Sequence, residues 1–192
     1  VDACVPCPVG QHYGQQYENV LGCVNCSRGR FSDQIGATDD TACLTCPAGT
    51  SSNEGAAFCI DCPRGSYAPT GSANCRTCLQ GKMATALTKA TDCVDCPAGQ
   101  FATVASAECR LCFPGRFAPP GQGTCGLCAP GSYADTFAAP ECSLCTDGYA
   151  SSTAGAAAQD VCVSCVAGFF ADARVVCAGC TRGQSSLDLA MA

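Results

Sequence analysis

The sequence has no Trp, few large aliphatic side chains and no long apolar run. A membrane-spanning helix needs about 20 consecutive apolar residues, so we expect no membrane span. Hydrophobic residues make up 47% of the chain, but this share is inflated by Ala and Cys, whose small side chains cannot fill a wide interior. The sequence therefore predicts a protein without a conventional hydrophobic core.

Positive charge is also scarce, with ten Lys and Arg against 16 Asp and Glu and a net charge of −6. The basic residues are scattered singly along the chain. Nucleic-acid binding requires a clustered basic face, so we expect no nucleic-acid partner.

Catalytic residue types are sparse, since His12 is the only histidine and nucleophilic triads need such a base. Carboxylates such as Asp39 and Asp40 do not have the spacing of a calcium loop and are interpreted as turn residues. We interpret His12 as a packing residue. The sequence therefore predicts no enzyme, no cofactor and no metal site.

Cysteine, in contrast, is abundant: 22 residues in 192, about 11%, a density typical of disulfide scaffolds. All of them fall in eleven C-x-x-C pairs that begin 15 to 20 residues apart. The pairs begin at Cys4, Cys23, Cys43, Cys59, Cys75, Cys93, Cys109, Cys125, Cys142, Cys162 and Cys177. A short recurring period is typical of a repeat array.

Each C-x-x-C pair is followed three residues later by glycine, as in Cys96 and Gly99. Glycine at one recurring position indicates a positive φ angle or a close backbone approach. An aromatic residue usually follows two places later, at Phe31, Tyr67, Phe101, Phe117, Tyr133 and Phe170. We interpret this position, the ring position, as one rigid ring per module that packs on a disulfide and on the next module's turn.

The middle of each repeat is rich in turn residues, which predicts a short, irregular β-hairpin. Since a lone two-stranded hairpin is marginal in water, we expect the cysteines to stabilise it. The predicted fold class is small disulfide-rich β: an elongated rod of tandem short hairpins with little or no helix. We expect residues 1–192 to form one continuous array of about ten repeats, incomplete at both ends, with 183–192 as a tail.

Three chemistries are open to C-x-x-C pairs: disulfides, zinc sites of four cysteines, and thioredoxin-like redox motifs. Zinc is disfavoured because eleven is an odd number of pairs, because basic flanks are missing, and because no sequence break follows every second pair. No βαβ pattern surrounds a pair as a redox motif would require. Disulfides are favoured, and they place the chain outside the cytosol.

The spacing favours a scheme in which the second cysteine of one pair bridges to the first of the next. The ten bridges are Cys7–Cys23, Cys26–Cys43, Cys46–Cys59, Cys62–Cys75, Cys78–Cys93, Cys96–Cys109, Cys112–Cys125, Cys128–Cys142, Cys145–Cys162 and Cys165–Cys177. Cys4 and Cys180 are left over and would pair with neighbouring repeats or join one chain to the next. The rival scheme joins adjacent pairs two by two, such as Cys4–Cys23 with Cys7–Cys26, and leaves one whole pair without partners.

The repeat C-x-x-C-P-x-G-x-[FY]-[AS], seen best from Cys43 to Cys145, resembles the ephrin-receptor-like cysteine-rich repeat. A looser similarity is to tumour-necrosis-factor-receptor and growth-factor-receptor modules. The resemblance implies an elongated extracellular array of disulfide-closed turns. It departs from the family at Met83, which replaces the aromatic residue.

Uniform repetition favours a structural function: a segment of a large extracellular protein that builds a filament, sheath or mastigoneme-like surface appendage. Its partners would be copies of itself or other extracellular structural chains. The alternative is a receptor or adhesion ectodomain that binds a protein ligand. Asn25-Cys26-Ser27 is an N-glycosylation sequon, which makes Asn25 a candidate for a glycan.

Overall fold

The computed structural model describes residues 5–18 and 20–180. Twenty strands pair in consecutive order into ten two-stranded hairpins, hairpin 1 formed by β1 and β2, hairpin 2 by β3 and β4, and so on. The strands are β1 Gln11–Tyr17, β2 Val20–Asn25, β3 Arg30–Phe31, β4 Leu44–Thr45, β5 Thr50–Ser51, β6 Ile60–Asp61, β7 Ser66–Tyr67, β8 Arg76–Thr77, β9 Lys82–Ala84, β10 Cys93–Asp95, β11 Gln100–Phe101, β12 Arg110–Leu111, β13 Arg116–Phe117, β14 Gly126–Leu127, β15 Ser132–Tyr133, β16 Ser143–Leu144, β17 Tyr149–Ala150, β18 Val163–Ser164, β19 Phe169–Asp172 and β20 Val176–Gly179.

Helical structure within the described residues is limited to two single 3₁₀ turns, Asp40–Ala42 and Gln159–Val161. Most strands are only two residues long, because each begins after the turn glycine and its partner lies between the two cysteines of the next pair. The predicted fold class, disulfide-rich β with tandem short hairpins, is confirmed.

Ten disulfides close the hairpins, and they are the ten of the first scheme above. The rival two-by-two pairing does not occur among the described cysteines. Their Cα–Cα distances run from 5.4 Å in the Cys7–Cys23 bridge to 5.8 Å in the Cys46–Cys59 bridge, within the usual range for a disulfide. Cys180 is a free thiol, while Cys4 lies outside the described residues.

The interior of the described chain consists of sulfur and small side chains. Its buried hydrophobic residues are all Cys or Ala, and Ser is the commonest buried polar residue. Cys26, Cys46 and Cys62 have no exposed surface, whereas Leu111 and Leu127 on the strands are about half exposed. The prediction that the fold has no conventional hydrophobic core is therefore confirmed.

The chain divides into two compact units. The first extends to Leu79 and also contains Met83–Val94 and Val104–Glu108; the second contains Gln80–Lys82, Asp95–Thr103 and the chain from Cys109 onward. A small cluster of Cys78, Ala84 and Ala90 lies within the first unit. A matching cluster of Cys128, Ala134 and Ala139 lies within the second. The 183–192 tail lies outside the described residues, and the single continuous array stays a prediction.

Reduction of all ten disulfides should unfold the hairpins at neutral pH without denaturant. Each bridge closes a loop of roughly 15 residues, worth about 3 kcal/mol, and the interior has little apolar surface to replace that stabilisation. Amide proton NMR spectra recorded before and after reduction should show loss of chemical-shift dispersion. A sample alkylated without reductant is the control, and dispersion that survived complete reduction would contradict the expectation.

Candidate functional site: the contact between successive hairpins

In most repeats, the turn that precedes a hairpin is hydrogen-bonded to the next hairpin along the chain. At hairpin 6, Gly99 has a φ of +78°, and its N–H donates to the Ala118 carbonyl at 2.7 Å. Three residues later, the Ala102 N–H donates to the Gln122 carbonyl at 3.2 Å. Because Ala118 and Gln122 both belong to hairpin 7, two backbone hydrogen bonds join neighbouring hairpins on the side away from the strand pairing.

The same turn also receives the loop of the hairpin two places further along. A Cβ atom on Gly99 would overlap the carbonyl of Ala138, which lies in the loop of hairpin 8. The Ala138 N–H meanwhile donates to the Cys112 carbonyl, before hairpin 7, at 2.9 Å. We call this arrangement the turn–loop contact. In this example, the loop of hairpin 8 contacts the turns that precede hairpins 6 and 7.

The turn–loop contact recurs along the described chain, and each example lies inside one of the two compact units. The pairs are Gly10–Gly55, Gly29–Gly71, Gly49–Lys89, Gly65–Ala105, Gly81–Gly121, Gly99–Ala138, Gly115–Gly155 and Gly131–Arg174. The recurring glycine of the sequence is therefore required both by its positive φ and by the close approach of a carbonyl.

The loop side of the contact is less restricted than the turn side. The loop residue also has a positive φ, but it is glycine only in some hairpins, such as Gly121 at +72°. In the others it is Lys89, Ala105, Ala138 or Arg174, with φ between 56° and 63°. The sequence analysis missed the turn–loop contact because this loop position changes both in residue type and in its distance from the turn.

The ring position packs against the buried cluster of the next hairpin. Tyr67 of hairpin 4 packs against the cluster of Cys78, Ala84 and Ala90, and Cys78 is bonded to Cys93 around hairpin 5. Phe117 of hairpin 7 packs against the matching cluster of Cys128, Ala134 and Ala139, and Cys128 belongs to the bridge around hairpin 8. These contacts agree with the interpretation of one ring per module packed on a disulfide.

His12 occupies the ring position of hairpin 1, two residues after Gly10. It is 8% exposed, and its Nδ1 lies 3.4 Å from Sγ of Cys43, which is bonded to Cys26 around hairpin 2. Ser51 occupies the ring position of hairpin 3, with its hydroxyl 3.4 Å from Sγ of Cys75. His12, Cys26 and Cys43 lie close enough to share a metal ion, but while the disulfide is intact neither sulfur is a thiolate.

Asn25, the candidate glycosylation residue, is exposed and lies above the loop of hairpin 3. Its Oδ1 accepts a hydrogen bond from Nε2 of Gln11 at 2.9 Å, and its Nδ2 lies 3.4 Å from a carboxylate oxygen of Glu54. A Cβ on Gly55 would come within 3.1 Å of the Asn25 side chain. The sequon nitrogen is thus already engaged in the contact between hairpins 1 and 3.

An aromatic pair lies on the surface of the second unit. The rings of Phe113 and Phe137 meet edge to face with centroids 5.5 Å apart, and the residues are 67% and 57% exposed. The sequence signal was Phe113 itself, which follows Cys112 at the position where many other repeats have proline. The sequence analysis did not single it out.

Asp39 caps the 3₁₀ turn beside Cys43. Its carboxylate accepts hydrogen bonds from the hydroxyl and the backbone N–H of Thr41. These two bonds lower the pKa of Asp39, with lesser help from Thr38 and the charge of His12 and against an opposing effect of burial. The neighbouring Asp40 forms an ion pair with Arg30 at 2.8 Å.

The family comparison matches the segment that contains hairpins 3 to 5. A family model described as "Tyrosine-protein kinase ephrin type A/B receptor-like" matches residues 49–96, and this segment has the tandem bridges of such modules. It is an ephrin-receptor-like cysteine-rich repeat. The other hairpins repeat its disulfide pattern and, in most cases, its turn–loop contact. None of the curated proteins matches the chain.

Ephrin-receptor-like repeats and many disulfides together indicate an extracellular location. Within residues 5–18 and 20–180, the structure contains no helix of the length and hydropathy that a bilayer crossing requires.

Substitution of the turn glycine should destabilise the repeats more than the same substitution in a loop. Gly99→Ala places a methyl group at positive φ and against the Ala138 carbonyl, and we expect a loss of about 3 kcal/mol from backbone strain and overpacking together. Gly121→Ala, at a similar φ, would place its methyl group 3.3 Å from an Asp95 oxygen. It should cost only about 1 kcal/mol.

Guanidinium unfolding of the oxidised proteins, followed by near-ultraviolet circular dichroism, would measure both losses. Gly121→Ala is the matched control, because Ala105 and Ala138 show that the chain already tolerates alanine at this loop position. Equal destabilisation by the two substitutions would show that the carbonyl approach at Gly99 has no energetic weight.

Acid should destabilise the native protein more steeply than an Asp39→Asn variant. Because the folded-state pKa of Asp39 is lowered, its contribution is fully present above the unfolded value of about 3.9. The contribution is lost as the pH falls through the folded-state pKa. The asparagine of the variant can still accept from the Thr41 N–H but has no charge to lose. Guanidinium midpoints measured from pH 7 down to pH 2 would test this, and parallel curves would contradict it.

Proposed function

We propose that this chain is a segment of an extracellular structural protein, a stiff rod within a filament, sheath or mastigoneme-like surface appendage. The observation that carries the proposal is the turn–loop contact, repeated at eight glycines from Gly10 to Gly131. The same geometry serves at every step, so the array can be extended by adding repeats without a new kind of contact.

Stiffness follows from the reach of the contact across three hairpins. The loop residue Ala138 donates to Cys112 and packs on Gly99, so bending between hairpins 6 and 7 would also displace hairpin 8. Repeat proteins in which each unit contacts its near neighbours are quasi-one-dimensional. A chain built in this way is suited to bearing load or setting a distance.

Lateral partners in this proposal are copies of the same chain or other extracellular structural chains. Several first strands already pair with the following hairpin at their outer edge, as Phe101 does with Gln122. Pairing with another chain would therefore use the outer edge of the second strand. A glycan at Asn25 is part of the same proposal and would project near the loop of hairpin 3. In this proposal the chain is not an enzyme.

The second candidate function is a receptor or adhesion ectodomain, and the Phe113–Phe137 pair favours it. Aromatic residues, phenylalanine among them, are enriched at protein–protein interfaces, and these two rings are clustered at 5.5 Å. A ligand that used this surface would contact one place in the second unit rather than every repeat.

Small-angle X-ray scattering and electron microscopy of the oxidised protein would test the structural proposal. A compact globule of 192 residues has a radius of gyration of about 16 Å, whereas a stiff rod of the same chain should have a clearly larger value. We expect thin, straight particles whose length is uniform at low concentration. A radius of gyration near that of the globule would contradict the rod.

The binding alternative has its own test in the paired variant Phe113→Ser with Phe137→Ser. If the chain acts as an ectodomain, this variant should lose binding to extracellular protein ligands while it retains all ten disulfides. The matched control is Leu127→Ser with Leu144→Ser, which removes exposed apolar side chains from other hairpins of the same unit.

A further inference from the structure

Hairpins 2 and 9 are built alike. In the described chain only these two contain a 3₁₀ turn, Asp40–Ala42 in hairpin 2 and Gln159–Val161 in hairpin 9, and both bridges have a sequence separation of 17. The residue after each turn has nearly the same backbone conformation, with φ −81° and ψ 98° at Cys43 and φ −78° and ψ 102° at Cys162. The two hairpins therefore correspond residue by residue without a gap.

In hairpin 2, an arginine side chain occupies the space beside the 3₁₀ turn. Arg30 lies on β3, and its Nη1 donates to both carboxylate oxygens of Asp40 at 2.8 Å. Its Nη2 donates to the Asp40 carbonyl at 2.8 Å, and its Nε donates to the Cys43 carbonyl at 2.9 Å. The turn thus binds all three nitrogens of one guanidinium group.

Hairpin 9 has the same turn without the arginine. Tyr149 occupies the place of Arg30, since each follows a turn glycine with a φ of +81°, Gly148 or Gly29. Residues 145–165 contain no Lys, Arg or His, so hairpin 9 supplies no cation of its own. An open cleft of about 380 Å³, the hairpin 9 cleft, lies beside the turn and is lined by Thr146, Tyr149, Gln159, Asp160 and Cys162.

We propose that the hairpin 9 cleft binds an arginine side chain presented by a partner protein. The carbonyls of Gln159 and Cys162 correspond to the two carbonyls that accept from Arg30 in hairpin 2. The Cys162 N–H donates to the Gln159 carbonyl at 3.0 Å, as the Cys43 N–H does to the Asp40 carbonyl at 3.1 Å, so the two turns present these oxygens in the same way. This site is independent of the structural function proposed above.

The side chains of the cleft also favour a guanidinium group. Gln159 stands in the place of Asp40, and the carboxylate comes from the next residue, Asp160. The ring of Tyr149 adds an aromatic surface on which a guanidinium group can stack. Arginine donates from a planar fork of five N–H groups, whereas lysine is a compact, strongly hydrated point charge. Oxygens spread over a carboxylate and two carbonyls therefore suit arginine better.

Asp160 is available for an incoming cation. The ion pairs within residues 5–18 and 20–180 use Asp40, Asp61, Asp95 and Asp147. The last of these lies close to the cleft in sequence, but it is already paired with Arg174 at 2.8 Å. The charge of Asp160 is therefore not balanced by a basic side chain of the described chain, and an arginine of a partner would balance it.

An NMR titration of the oxidised, nitrogen-15-labelled protein would test the proposal. The probe is Nα-acetyl-arginine N-methylamide, and the comparison compounds carry lysine or citrulline, whose urea group resembles guanidinium in shape but has no charge. We expect saturable shifts in the backbone amide signals of Gln159, Asp160 and Cys162 with the arginine compound, and weaker binding of both comparison compounds. Equal binding of the citrulline compound, or shifts spread evenly over the exposed carboxylates of the chain, would overturn the proposal.

Substitution of the carboxylate tests its role in the cleft. Asp160→Asn should raise the dissociation constant of the arginine compound by about fivefold, the upper end for an exposed ion pair. Glu141→Gln removes an equal charge from an exposed position of hairpin 8, outside the cleft, and is the matched control that should bind as the native protein does. The same loss of affinity in both variants would show only a general effect of net charge and would overturn the proposal.

The paired variant Tyr149→Arg with Gln159→Asp gives hairpin 9 the two residues that hairpin 2 has at these positions. Its own guanidinium group should occupy the cleft as Arg30 does in hairpin 2, so the arginine compound should no longer bind. Undiminished binding would contradict the proposed site. If the paired variant fails to form the Cys145–Cys162 bridge, the comparison of Asp160→Asn with Glu141→Gln decides.

Discussion

A loop carbonyl packed against a glycine without a side chain connects each of hairpins 1 to 8 to the hairpin two places further along. The contact is possible only because Gly99 and its equivalents have positive φ and no Cβ. It satisfies loop backbone groups that a small, narrow interior would otherwise leave unpaired. The disulfides close individual hairpins, whereas this contact joins a hairpin to the one two places further along.

Sulfur determines what else the interior can contain. Nine of the ten described bridges bury one cysteine almost completely, as at Cys96 and Cys112, and leave room nearby only for alanine, serine or one flat ring. The ring packs against the buried cluster of the next hairpin, as Tyr67 does against Cys78, Ala84 and Ala90. A histidine can replace that ring with little change in shape, which is why His12 has the appearance of a packing residue while its nitrogen faces sulfur.

The hairpins, the bridges and the coreless interior could be predicted from the sequence because each depends on a residue type that recurs at fixed spacing. The turn–loop contact could not, since Lys89, Ala105 and Gly121 share a backbone conformation without sharing a side chain. The contact of His12 with Cys43 was also beyond the sequence. His12 belongs to hairpin 1, whereas Cys43 belongs to the bridge around hairpin 2. Which bridge lies beside His12 becomes clear only when the two hairpins are placed against each other.

Exposed apolar residues carry an unusual meaning in such a fold. Leu111, Leu127 and Leu144 are at least half exposed because the sulfur-lined interior has no space for them, so exposure alone does not indicate a ligand-binding surface. The Phe113–Phe137 contact is different, since two large rings have been brought together where neighbouring repeats have proline or alanine. The weight of the ectodomain alternative therefore depends on this clustering, whereas the structural proposal depends on a contact that every repeat from hairpin 1 to hairpin 8 shares.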